Sequence, residues 1–206
     1  MLAFEVAATE AALAEPLITR TEACLAPGSW PLWTSDGLEA YGTALLARHH
    51  VIQSFPRTGR RGRPRRPRLV AHPRLQYGQV VKQRDMRHRV IDVTQRVVFG
   101  APPPEQLLTV YVERHNLSLR QENGRLRRKT LAFSKAVGGL RNQPTLYQAF
   151  YNLCRPHRGL RQRTLQSARG NTWRRWRLVT PAMAAGIANH VWSLRGLMTT
   201  RIFINH

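Results

Sequence analysis

The sequence predicts a mixed α/β protein, and three observations carry that expectation. Apolar residues recur at helical spacing in several separate segments. A short apolar run, Trp30 to Ser35, and a β-branched and aromatic stretch, Gln76 to Phe99, read as strands between them. Hydrophobic residues make up 42% of the 206, enough for a core, which argues against wholesale disorder.

The elements follow in order. From Leu2 to about Glu15 an alanine-rich stretch places Leu2, Val6 and Leu13 near helical spacing, with Leu17 beyond. It predicts an amphipathic helix ending around Pro16 or continuing past it after a kink. Gly28 marks a turn, Trp30 to Ser35 a buried strand, and Asp36-Gly37 its end. Leu38 to His50 resumes a helical pattern through Leu38, Tyr41, Leu45 and Leu46. Residues 56–74, PRTGRRGRPRRPRLVAHPR, hold four prolines, two glycines and eight arginines, and so read as an exposed loop or arm. Strand character is expected from Gln76 to Phe99, and a stiff linker at Ala101-Pro102-Pro103-Pro104. Helices are expected from Leu107 to about Leu119, from Thr145 to Leu153 with Thr145 as N-cap, and from Pro181 to about Leu197.

Charge is the strongest compositional signal. Lys and Arg number 33 against 11 Asp and Glu, a formal net charge of +22. The excess is uneven: residues 1–50 carry a net of −4, residues 51–100 +11, residues 101–150 +5, and residues 151–206 ten arginines with no acid. Only Lys82, Lys129 and Lys135 are lysines. Arginine's planar fork suits bidentate phosphate contacts, although a GC-rich genome also writes arginine for any cation. The shortage of acids points to a polyanionic partner. Two cysteines, Cys24 and Cys154, make neither a disulfide framework nor a four-cysteine zinc site. No apolar run approaches a membrane span, and the N-terminal stretch carries glutamates where a signal peptide would not. A cytoplasmic, nucleoid-associated protein is expected.

Few residues can carry chemistry. Asp36 would project from the end of a buried strand, well placed to bind a metal or act as a base, or it simply forms an Asp-Gly turn. Glu113 lies in VERHNLSLR, where Asn116 falls three positions later on the same helical face; the competing reading is a solvated glutamate. Cys154 and His157 are three apart with no second pair, which disfavours a metal site, and His49-His50 reads as a helix C-terminus. WRRWR, Trp173 to Arg177, interleaves aromatic and basic residues as single-strand binders do, or rests its tryptophans on the core.

Together, WTSDGLEAY (Trp33 to Tyr41), VERHNLSLRQENGRLRRKTLAFSK (Val112 to Lys135), YNLCRPHRGL (Tyr151 to Leu160) and TPAMAAGI (Thr180 to Ile187) occur in that order. They resemble the DDE-type transposases of small bacterial insertion sequences, from about residue 30 to the end. The resemblance implies a ribonuclease-H-like fold, with Asp36 as the second catalytic acid, Glu113 as the third and Asn116 beside it. It implies Mg²⁺ in a two-metal site held by Asp36 and Glu113, DNA cleavage and strand transfer, and a possible homo-oligomer in a synaptic complex with DNA.

One departure matters. No aspartate precedes Asp36, and Glu5, Glu10, Glu15 and Glu22 lie in what reads as helix rather than on a first strand. The expectation is therefore a truncated or inactivated copy, incomplete at the N-terminus, whose isolated chain lacks strand-transfer activity. Residues 1–55 would be partial catalytic core, 56–75 a basic arm, 76–160 the rest of the core, and 161–206 a basic, helical tail. DNA contacts would come from Arg57, Arg60, Arg61, Arg63, Arg65, Arg66 and Arg68 of the arm, and from Arg174, Arg175 and Arg177. The alternative is a non-catalytic basic nucleic-acid-binding protein.

Overall fold

The computed structural model describes residues 3–55, 65–127, 129, 131–164 and 176–200. The protein is of the mixed α/β class, and its chain forms two compact units, Leu2–Ser118 and Leu119–His206.

In the first unit, a 3₁₀ turn (Ala11–Leu13) leads into α1 (Ala14–Glu22). The helix begins later than the alanine pattern suggests. Thr9 Oγ1 accepts from the Ala12 amide and starts the helical path there. Pro16 lies inside α1 rather than at its end, in the first turn, where a missing N–H costs no intrahelical bond. β1 (Leu32–Ser35) and α2 (Glu39–Arg48) follow where expected, and α1 packs on α2.

A short ribbon then pairs β2 (His50–Gln53) antiparallel with β3 (Arg68–Ala71). The far end of the segment 56–74, read as an exposed loop or arm, is thus a strand, and it is largely exposed. The Leu69-Val70-Ala71 end is apolar enough to pair with Val51 and Ile52, whereas 56–64 lies outside the described residues.

The main sheet is three-stranded and mixed, in the order β1, β4 (Gln76–Arg84), β5 (Val90–Phe99). β1 runs parallel to β4, with Ser35 opposite Gln79, and β4 runs antiparallel to β5. The hairpin is held by Asp85, whose carboxylate accepts from the Arg87 and Arg89 amides at 2.9 and 2.8 Å. As the central strand, β4 is covered along Tyr77–Val80, while β5 at the edge is largely exposed. Ile18, Leu45, Leu75 and Tyr77 form the core, with Trp30, Trp33, Tyr41, Val98 and Phe99 packed against it. Gly78 lets Leu107 lie directly on the sheet: a Cβ at 78 would come within 2.5 Å of both Leu107 methyls.

α3 (Val110–Glu122) carries the chain out of this unit. In the second unit, α4 (Val137–Ala149) runs through Pro144 and ends in a π turn, Phe150–Cys154. The expected helix start at Thr145 is therefore overturned. The helix is already under way from Val137, and the Thr145 hydroxyl bonds back to the Arg141 carbonyl instead of capping. A two-residue ribbon pairs β6 (Gln162–Arg163) with β7 (Trp176–Arg177). The helix expected from Pro181 to Leu197 is split into α5 (Pro181–Ala184) and α6 (Leu194–Thr199). Gly186 adopts a left-handed φ of +73°, and the Ile187 amide then closes onto the Ala182 carbonyl, which ends α5. Among the described residues, no helix is long and apolar enough to cross a membrane.

Candidate functional site

Within the first unit, Asp36, Glu113 and Asn116 line one cavity of about 310 Å³, together with Ser35, Thr109 and Tyr77. Residues 77 positions apart in the chain thus meet at a single opening. Three local features set their places. Asp36 follows the last residue of β1, so the parallel β1–β4 pairing fixes where its backbone emerges. Its Oδ1 accepts from the Leu38 amide at 3.3 Å, the turn role that Asp-Gly suggested. Ser35 Oγ lies 2.7 Å from Tyr77 OH, and Gln79 Nε2 donates to the same phenol at 2.9 Å and to the Leu38 carbonyl at 3.2 Å. The buried Gln79 amide therefore ties the Asp36 turn to the central strand.

Glu113 lies in the first turn of α3, with Asn116 three residues on. Both of its carboxylate oxygens are engaged. Lys82 Nζ donates to both oxygens at 2.5 Å, and Thr109 Oγ1 donates to Oε1 at 2.7 Å. The Lys82 bond first, then the Thr109 bond, holds the Glu113 carboxyl below its ordinary range; the Arg84 charge adds to this. On the cavity wall, burial first and then the Asp36 charge push the Tyr41 hydroxyl up.

Nothing in the sequence near Glu113 signals Lys82, which lies 31 residues away on another element. The one available hint is that it is a lysine in a chain that otherwise uses arginine almost throughout. Ser35, Tyr77 and Gln79 carry no local signal either, because their contribution depends on strand pairing, whereas Thr109 acts locally, four residues before Glu113.

The oxygen donors Asp36, Glu113 and Asn116 are of the hard kind that Mg²⁺ takes. A cation at Glu113 would, however, compete with the Lys82 ammonium for the same oxygens. Among the described residues, no group of three or more His, Cys, Asp or Glu is placed to hold a metal ion. Cys154 and His157 of the second unit do not change this. Burial raises the Cys154 thiol and lowers His157, whose Nε2 is buried without a hydrogen-bond partner. His49 closes α2, as its position suggested, and its Nε2 lies 2.5 Å from Glu22 Oε1.

Of the arginines expected to meet DNA, Arg57, Arg60, Arg61, Arg63, Arg174 and Arg175 lie outside the described residues. Arg65, Arg66, Arg68 and Arg177 are exposed. Arg65 lies over the Phe55 ring at 5.7 Å. On the β6–β7 ribbon, Arg161 stacks on the Trp176 ring at 4.2 Å, so one tryptophan of WRRWR faces a cation at the surface.

The fold and site define a mixed α/β protein with a cavity that two carboxylates and an amide share. No family model, curated protein or solved structure matches the chain.

Proposed function

We propose that this chain carries two catalytic acids of a DDE-type transposase with a ribonuclease-H-like fold, acting on DNA. The supporting observation is that Asp36, Glu113 and Asn116, chosen from motifs far apart in sequence, line the same cavity. In this reading Asp36 and Glu113 hold Mg²⁺, which when bound supplies charge neutralisation and activates an oxygen nucleophile at phosphorus. Asn116 orients the same site from the next turn of α3, and Thr109 holds the Glu113 carboxylate in place. Gln79 and Tyr77 fix the Asp36 turn. The basic surface supplies sequence-independent grip on phosphates.

The second reading is a non-catalytic basic nucleic-acid-binding protein. Two observations favour it: Lys82 already neutralises Glu113, and Arg161 on Trp176 presents a stacked cation for nucleic acid.

Binding of fluorescent duplex DNA, with Mn²⁺ and with EDTA, separates the two. Both readings expect a steep fall in affinity with salt, its logarithmic slope close to −0.9 per phosphate neutralised. The transposase reading expects an additional Mn²⁺-dependent gain, because bare carboxylates repel phosphate, and expects Asp36→Asn and Glu113→Gln to abolish that gain. Identical binding by wild type and both variants under both conditions would leave the non-catalytic reading.

A further inference from the structure

The segment Arg125 to Lys135 takes no part in the Asp36 cavity. It holds five cations, Arg125, Arg127, Arg128, Lys129 and Lys135, and no acid. In the second unit it borders a separate cavity of about 540 Å³, lined by Arg125, Phe133, Lys135, Gly139 and Gln143 among others. That volume is within the range of about 300–1,000 Å³ typical of small-ligand sites.

Three features of this cavity go together. Phe133 is 62% exposed, an aromatic face presented at the wall, and no ring or cation among the described residues covers it. Arg125 is held in position: its Nη1 donates to Ser134 Oγ at 3.1 Å and lies where a Cβ at Gly139 would come within 2.8 Å. Glycine at 139 therefore leaves the floor open for the guanidinium. The Gln143 carbonyl oxygen is buried without a donor, an unmet acceptor that costs about 1–3 kcal/mol wherever it persists. No acid lines the cavity, and the nearby Glu122 is engaged by Arg155.

We infer that this cavity holds one unpaired nucleotide of a nucleic-acid strand. Arg125 and Lys135 take the phosphate, Phe133 stacks on the base, and an exocyclic amino group of the base meets the Gln143 carbonyl. An acidic peptide would satisfy the two cations, and its backbone N–H groups could meet the acceptor, but its carboxylate side chains offer no flat ring to stack on Phe133. A paired base inside a duplex is stacked on both faces and offers no free face to Phe133, so the ligand is single-stranded. The inference rests on the nucleic-acid reading above, but on none of the residues of the Asp36 cavity.

The test uses the full chain, a single-stranded oligonucleotide carrying internal 2-aminopurine, its duplex, and a glutamate-rich peptide. Wild type should quench 2-aminopurine on binding. Phe133→Leu, at an exposed position, should lose the quenching and about tenfold in single-strand affinity, as for one stacked base, with duplex binding unchanged. Phe133→Trp should retain both. If Phe133→Leu quenches and binds single strands like wild type while duplex binding stays salt-dependent, the nucleotide site is refuted and the nucleic-acid reading stands. Binding of the acidic peptide with the same dependence on Phe133 would also refute it. Failure of wild type to bind either nucleic acid at low salt would overturn both.

Discussion

The ion pair between Lys82 and Glu113 gives the most direct test of the cavity's electrostatics. The perturbation is a double-mutant cycle of Lys82→Met and Glu113→Gln, which isolates the pair from the other losses each change brings. Both side chains keep contact with water, at 28% and 48% relative exposure, so the interaction is discounted to the surface range. The coupling expected at pH 7 is about 0.5–1 kcal/mol. Its pH dependence follows from the direction of the Glu113 shift. The folded carboxyl is held below its ordinary value of 4.5, so the stabilisation is fully present above that value. It is lost as pH falls through the depressed folded value, where Glu113 takes up its proton. Urea unfolding followed by tryptophan fluorescence, repeated down the acid range, measures the coupling. NMR of the Glu113 carboxyl in Lys82→Met should show its midpoint moving up. Zero coupling at pH 7, or coupling that persists once Glu113 is protonated, would refute the assignment of Lys82 as the group that neutralises it.

Two further perturbations address the scaffold. Gly78→Ala drives a Cβ to within 2.5 Å of the buried Leu107 methyls and should cost about 1–3 kcal/mol in unfolding free energy, as overpacked cores do. Leu107→Val, which removes a methylene from the collision, should recover part of that loss; a Gly78→Ala protein as stable as wild type would place Leu107 elsewhere. In the second unit, burial, helped by the Arg155 charge, holds His157 below its ordinary 6.5. The unfolded chain therefore takes up a proton that the folded one resists, and the second unit should lose stability as pH drops below about 6.5. His157→Asn should flatten that slope in denaturation curves between pH 7 and 5, and an unchanged slope would show that another group is responsible.

What was legible in the sequence was what neighbouring residues determine. β1 and α2 appear where short-range apolar patterning placed them, α3 starts three residues later than Leu107 because that leucine packs on Gly78 instead, and the turn after β1 forms as Asp36 bonds the Leu38 amide two residues on. Glu113 and Asn116 were legible for the same reason, being one helical turn apart. The misreadings share a different cause. Thr145 reads as an N-cap, yet a helix started at Val137 absorbs the one amide missing at Pro144 and continues. The apolar pattern from Pro181 to Leu197 said nothing of the left-handed Gly186 that divides it. Lys82 carries no local signal because a residue on β4 meets α3 only after the sheet has formed.

The acids of this +22 chain also sort the two functional readings. Glu5, Glu22, Asp85, Glu113 and Glu122 each lie against a cation: Arg20, Arg48 with His49, Arg89, Lys82 and Arg155 respectively. Asp36 is not among them, and neither are Glu10, Glu15, Glu39, Asp92 and Glu105. Among the described residues no lysine or arginine stands within ion-pair distance of the Asp36 carboxylate, and one oxygen accepts only the Leu38 amide. Of these six acids, unpaired among the described residues, only Asp36 lines the cavity shared with Glu113, so an added cation there meets no competing ammonium. The same reasoning ranks the two acids: a divalent ion meets open charge at Asp36 and competition at Glu113. Asp36→Asn should therefore weaken Mn²⁺-dependent DNA binding more than Glu113→Gln does, and the reverse order would mean that Lys82 leaves Glu113 readily when the ion arrives.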